Sequence, residues 1–82
     1  MSVISLVKLN EEEEAEIVSI MGGQTANKRL ADLGLTPGTK IKVLSKAPLF
    51  GPIEIEFRGS TLVLGQGLAA KVLVENKNEN EK

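Results

Sequence analysis

TANKRLADLGLTPGTKIKV, residues 25–43, changes its hydrophobic period from helical to extended across a single short turn. Ala26, Leu30 and Leu33 recur at spacings of four and three, which puts them on one face of a helix over residues 26–33. Thr25 precedes that stripe as an N-cap, its hydroxyl available to an orphan amide of the first turn. Gly34 stands where helices end on a left-handed residue. Thr36-Pro37-Gly38-Thr39 then reads as a type II turn, in which Pro presets φ and Gly supplies the positive φ that follows. From Lys40 the pattern alternates, Ile41 and Val43 on one side, Lys40 and Lys42 on the other. A helix is therefore expected to hand over directly to a strand.

Downstream, IEIEFR (53–58) alternates in the same way, and the 47–52 loop joins the two runs as a hairpin. That pairing would set Lys40 and Lys42 across from Glu54 and Glu56, at about 0.2–1 kcal/mol per opposed pair. Gly59 and Ser60 turn into a strand over 61–64, the connector 65–70 has room for one 3₁₀ turn, and 71–74 form the last strand. Upstream, residues 15–21 read as a strand with Ile17, Val18 and Ile20 on both faces, stopped by Gly22-Gly23. Leu6, Val7 and Leu9 give a short apolar lead-in. Five short strands with one helix after the first long strand predict a mainly β fold, a small barrel whose closure removes exposed sheet edges. The domain is expected over residues 1–75. The segment 76–82 (NKNENEK) has no apolar residue and reads as a disordered tail.

Eighty-two residues and 8.8 kDa leave room for one core. Cysteine and histidine are both absent. Their absence removes a disulfide framework, a thiolate metal site, the commonest general base and the commonest transition-metal ligand. No nucleophile is paired with a base, so neither an enzyme nor a cofactor or metal site is expected. Two Phe and no Tyr or Trp give too little aromatic surface for a Pro-rich peptide groove or a base-stacking platform. No signal-peptide pattern or membrane-length apolar run is present, which predicts a cytoplasmic protein without membrane insertion. Residues 1–16 carry one Lys against five Glu, net −4, whereas 17–74 carry seven basic and three acidic residues, net +4. That asymmetry favours an acidic protein partner for the body, or docking of the first loop onto it. The overall charge of −1 does not favour nucleic acid.

Arg29-Leu30-x-x-Leu33-Gly34-Leu35-x-Pro37-Gly38, the Ile41/Val43 strand, Ala47-Pro48, Gly51-Pro52-Ile53, Gly59, Leu62-Val63-Leu64 and Ala70 with Val72 and Val74 follow one another in an order that resembles the FeoA family. The similarity runs from about Leu6 to Val74. It implies an SH3-like β-barrel with an added helix, and an accessory role in bacterial ferrous iron uptake. The implied partner is the membrane transporter FeoB, through its cytosolic GTPase domain. Scaffolding, regulation of the GTPase and promotion of transporter assembly are all compatible with that role, as is weak self-association. The chain departs from the family pattern at the Glu run and at Gly65 and Leu68, all in loops or connectors.

Several features carry two readings. Glu11 to Glu14 form either a solvated turn or, as carboxylates, a divalent-metal sensor or carrier site; consecutive side chains splay apart, which favours the turn. Gly65-Gln66-Gly67 lacks the rest of any phosphate-binding motif and reads as a plain turn. Lys28 and Arg29 either face an acidic partner or cover the core edge with their stems. Leu35, beyond the helix cap, is a core residue or forms an exposed patch with Pro37. In Pro48-Leu49-Phe50-Gly51-Pro52, Phe50 either folds back to plug one barrel end or stands out with Leu49 as an apolar anchor on a loop stiffened by two prolines. The basic body alone leaves a small RNA-associated barrel as a further alternative. The candidate partner-binding residues are Lys28, Arg29, Leu35, Pro37, Pro48, Leu49, Phe50 and Pro52.

Overall fold

The computed structural model describes residues 3–76. Its strands are β1 (Val3–Ser5), β2 (Glu14–Ile20), β3 (Lys40–Lys46), β4 (Ile53–Phe57), β5 (Ser60–Leu64) and β6 (Val72–Asn76). Helix α1 (Gly23–Asp32) lies between β2 and β3, and a four-residue α2 (Gln66–Ala69) between β5 and β6. All pairings are antiparallel, in the order β1-β6-β2-β3-β4-β5. The strand that sequence did not reveal is β1, three residues before a 3₁₀ turn (Leu6–Lys8). It is too short to show an alternating period.

One hydrophobic cluster runs through the molecule, from Leu6 and Leu9 through Ile17, Leu30, Val43 and Ile55 to Leu64 and Val74. The fold is mainly β and SH3-like, with the sheet curled around this cluster. The 3₁₀ turn after β1 packs against α2, which follows β5, while β1 and β5 themselves do not pair and remain the two edges of the sheet. No helix among the described residues is long and apolar enough to cross a membrane.

Residues 25–43 fold as a helix, turn and strand, with two departures from the expected form. The helix starts at Gly23 with Gly22 as its N-cap, and no side chain caps it, so Thr25 lies inside the first turn. At the other end Gly34 adopts φ 92°. Its N–H donates to the Ala31 carbonyl at 2.9 Å and the Leu35 N–H donates to the Leu30 carbonyl at 2.8 Å. This is the Schellman pair of hydrogen bonds, whose accompanying hydrophobic contact joins the residue after the glycine to the helix's last turn. Leu35 therefore goes under the helix with Leu30, both fully buried, while Leu33 at the C-cap stays 42% exposed. The expected core face of Ala26, Leu30 and Leu33 is instead Ala26, Leu30 and Leu35. The next turn forms as expected: Thr39 N–H donates to the Thr36 carbonyl at 3.0 Å, with Gly38 at φ 95°.

The β3–β4 hairpin also forms, but with a register shift between Val43 and Ser45. Lys42 faces Glu56 as expected, Ser45 takes the place opposite Glu54, and Lys40 faces Glu16 on β2 instead. At the C-terminus β6 extends through Asn76, which pairs with Ala15 and is largely buried, so the expected tail does not include it. The rest of that expected tail, 77–82, lies outside the described residues.

Candidate protein-docking site

The candidate residues fall into two groups at opposite ends of β3. Lys28 and Arg29 on α1 and Pro37 before β3 are exposed at one end. Pro48, Leu49, Phe50 and Pro52 are exposed at the other, a seven-residue strand away, or roughly 20 Å. Lys28 Nζ lies 3.8 Å from the Asp32 carboxylate one turn along the helix, a solvent-exposed pair of small energetic weight. Leu35 is buried and leaves the surface altogether.

The 48–52 turn is built by two hydrogen bonds. Ala47 N–H donates to the Pro52 carbonyl at 2.9 Å, and Gly51 N–H to the Pro48 carbonyl at 3.2 Å. Between them Leu49 and Phe50 adopt φ 59° and 61°. Two consecutive left-handed residues make a type I′ geometry, which normally selects Asn and Gly. Gly51 is required for a different reason: a Cβ there would lie 2.7 Å from the Ala47 Cβ and 3.1 Å from the Pro48 carbonyl oxygen.

Leu49 is 93% exposed and Phe50 85% exposed. Phe50 does not plug the barrel, because the neighbouring end is already filled. Leu6 and Leu9 of the N-terminal segment are fully buried there. Lys46, the last residue of β3, donates from Nζ to the Val7 and Leu9 carbonyls at 2.9 and 2.8 Å. Phe50 instead forms one lip of a 220 Å³ cleft, with Val7, Lys8, Ala47, Ile53 and Gln66 along its wall.

The acidic run turns inward onto the body. Glu11 Oε2 accepts the Lys46 N–H at 3.2 Å, and Glu12 Oε1 lies 3.3 Å from Lys42 Nζ. Glu13 accepts the Asn10 N–H at 2.7 Å and the Asn76 side-chain amide at 3.4 Å. These three carboxylates serve different partners, Lys46 and Lys42 on β3 and Asn10 with Asn76 for Glu13, and do not share one. Among the described residues, no group of three or more carboxylates is placed to hold a metal ion.

A family model for the FeoA domain matches residues 4–76. The chain belongs to the FeoA family. Over 75 residues it is 39% identical to Fe(2+) transport protein A of Methanocaldococcus jannaschii, covering 88% of this chain and 89% of that one. A crystal structure described as the iron uptake regulatory protein FeoA superposes with a TM-score of 0.82 at 36% identity, over 92% of this chain and 97% of the other. The FeoA protein of Chlorobium tepidum superposes at 0.80 with 35% identity, over 90% and 70% of the two chains. The FeoA resemblance read from the sequence is thus confirmed by family and by fold.

Sequence reasoning missed what makes the 48–52 turn unusual, namely left-handed backbone at two bulky residues. A turn of two prolines and one glycine signals stiffness but does not show which residues take positive φ. It also missed the exposed Val63 on β5 and the exposed Met21 ahead of α1.

Proposed function

We propose that this chain is a non-enzymatic accessory protein of ferrous iron uptake, acting in the cytoplasm by contact with the cytosolic GTPase domain of a FeoB-type transporter. Family membership and the naming of its relatives as Fe(2+) transport and iron uptake regulatory proteins support the pathway. The observation that carries a contact role is the Leu49–Phe50 tip. Each left-handed non-glycine residue costs about 1–2 kcal/mol relative to ordinary backbone. Two exposed apolar side chains return almost nothing to folding. Strain without local compensation is characteristic of sites that act on something else. A Phe beside a Leu, held rigidly and flanked by prolines, has the character of an interface anchor, because little conformational freedom remains to be lost on binding.

The test is a calorimetric titration of the chain into the cytosolic GTPase domain of the ferrous transporter from the same organism. Saturable binding below about 100 µM is expected, as for a transient signalling-type interface. No heat and no change in sedimentation at that concentration would overturn the proposed partner.

A further inference from the structure

The strand order leaves two sheet edges, and they differ in how they are protected. β1 is three residues long and ends in a 3₁₀ turn, so it offers almost no ladder to a newcomer. β5 is five residues long, pairs without a register shift and carries Ser-Thr-Leu-Val-Leu, with no charge and no proline. Natural edge strands are usually blunted by Lys, Pro, a bulge or a covering segment. The two outward-facing residues of β5, Thr61 and Val63, are exposed, Val63 by 60%.

The hydrogen-bonding phase of this edge follows from its hairpin. Arg58 and Gly59 form a two-residue turn with φ 53° and 77°, so Phe57 and Ser60 are the closing pair. In such a hairpin the closing pair is hydrogen-bonded, and bonded and non-bonded pairs alternate along the strands. Ser60, Leu62 and Leu64 therefore direct their N–H and C=O groups to β4. Thr61 and Val63 direct theirs to the open edge.

We propose that the β5 edge pairs antiparallel with the β5 edge of a second copy of this chain, about a two-fold axis at Leu62. Thr61 and Val63 lie equally far from Leu62, so each Thr61 meets the other copy's Val63 as a hydrogen-bonded pair. The result is four new backbone hydrogen bonds and one continuous sheet across both copies. On the outer face Val63 of each copy is covered by Thr61 of the other, and on the inner face the two Leu62 side chains meet at the axis. Charge permits this arrangement. Glu54 and Glu56 stand opposite Val63 and Thr61 one strand back. Across the joined edge, carboxylates of the two copies are separated by about three strand spacings, ~14 Å. That exceeds the screening length of ~8 Å in physiological salt. A foreign strand has no charge on this edge by which to be selected, whereas a second copy matches it by symmetry. One five-residue edge buries less than the roughly 1,000 Å² of a stable interface, so the dimer forms at high protein concentration and dissociates on dilution.

The test is sedimentation equilibrium from about 10 µM to about 1 mM, with amide resonances followed over the same dilution. The weight-average mass should rise above 8.8 kDa towards twice that value, and concentration-dependent shifts should centre on Thr61 to Val63. Val63→Lys, which gains Glu54 as a cross-strand partner within its own chain, should weaken association at least tenfold with an unchanged melting temperature. Thr61→Pro, which removes an outward N–H, should do the same. A chain that stays monomeric at the highest concentration overturns the proposal. So does a dimer that Val63→Lys leaves intact but that Leu49→Ser with Phe50→Ser abolishes, which would move the contact to the hairpin tip. If dilution leaves the Thr61–Val63 amides in place while the transporter's cytosolic domain shifts them, the edge serves a foreign strand and self-pairing is wrong.

Discussion

Two turns flank β4, and they take the same backbone shape with opposite choices of residue. Arg58 and Gly59 sit at φ 53° and 77°, Leu49 and Phe50 at 59° and 61°. In the β4–β5 turn Gly59 enters the left-handed region with no Cβ to clash, and exposed Arg58 keeps its charge in water. In the β3–β4 turn both positions hold bulky apolar side chains, almost wholly exposed. The strand between them is common to both turns and well buried at Ile53 and Ile55, so the scaffold does not account for the difference. Folding alone selects the kind of sequence found at Arg58-Gly59. Leu49-Phe50 needs another reason, and the docking role proposed above would supply one.

Ile55 is fully buried beneath both hairpins, so Ile55→Ala should cost ~2–5 kcal/mol in urea unfolding, as buried aliphatic truncations do. A loss under about 1 kcal/mol would mean that β4 is not the shared support. The glycines of the two turns should respond differently. Gly51→Ala should cost ~1–3 kcal/mol by overpacking against Ala47 and Pro48. Gly59→Ala meets no atom within 4 Å and should cost only about 1 kcal/mol, through its positive φ. Equal costs would show that the two turns are not distinguished by packing. Exchanging the residue choice is a smaller effect with the opposite sign. Leu49→Asn with Phe50→Gly should stabilise the isolated chain by roughly 1 kcal/mol, the relieved strain being partly offset by the freedom that Gly adds to the unfolded state. A destabilised variant would show that the apolar tip contributes to the fold after all. Smallest is Leu33→Ala, away from both turns. Half-exposed at the C-cap, it should change stability by less than ~1 kcal/mol, and a larger loss in thermal melting would place Leu33 in the core.

Much of the fold was legible because its signals are local. The period change across residues 25–43, the Gly34 terminus and the Pro37-Gly38 turn each depend on a few neighbouring residues, and all three are present. What escaped depends on distant partners. Leu35 rather than Leu33 enters the core because a Schellman motif reverses the chain beneath Leu30, and spacing alone does not separate the two leucines. Lys40 misses its expected partner because the register that sets Lys42 opposite Glu56 carries Lys40 past the end of β4, leaving it opposite Glu16 of β2. Phe50 stays outside because Leu6 and Leu9, from a segment some forty residues earlier in sequence, already close that end of the barrel with the Lys46 ammonium hydrogen-bonded to that segment. The inward turn of the acidic run was one of two outcomes that the charge asymmetry allowed, and contacts with Lys42 and Lys46 realise it.

If Leu49 and Phe50 are kept for a partner rather than for the fold, urea unfolding and calorimetric binding to the transporter's cytosolic GTPase domain should part company in one double variant, Leu49→Ser with Phe50→Ser. Stability should change by less than ~1 kcal/mol, while affinity should fall by ~2 kcal/mol or more, about thirtyfold. A stable variant that binds as tightly as the parent chain would contradict the claim and turn attention to Lys28, Arg29 and Pro37 at the far end of β3.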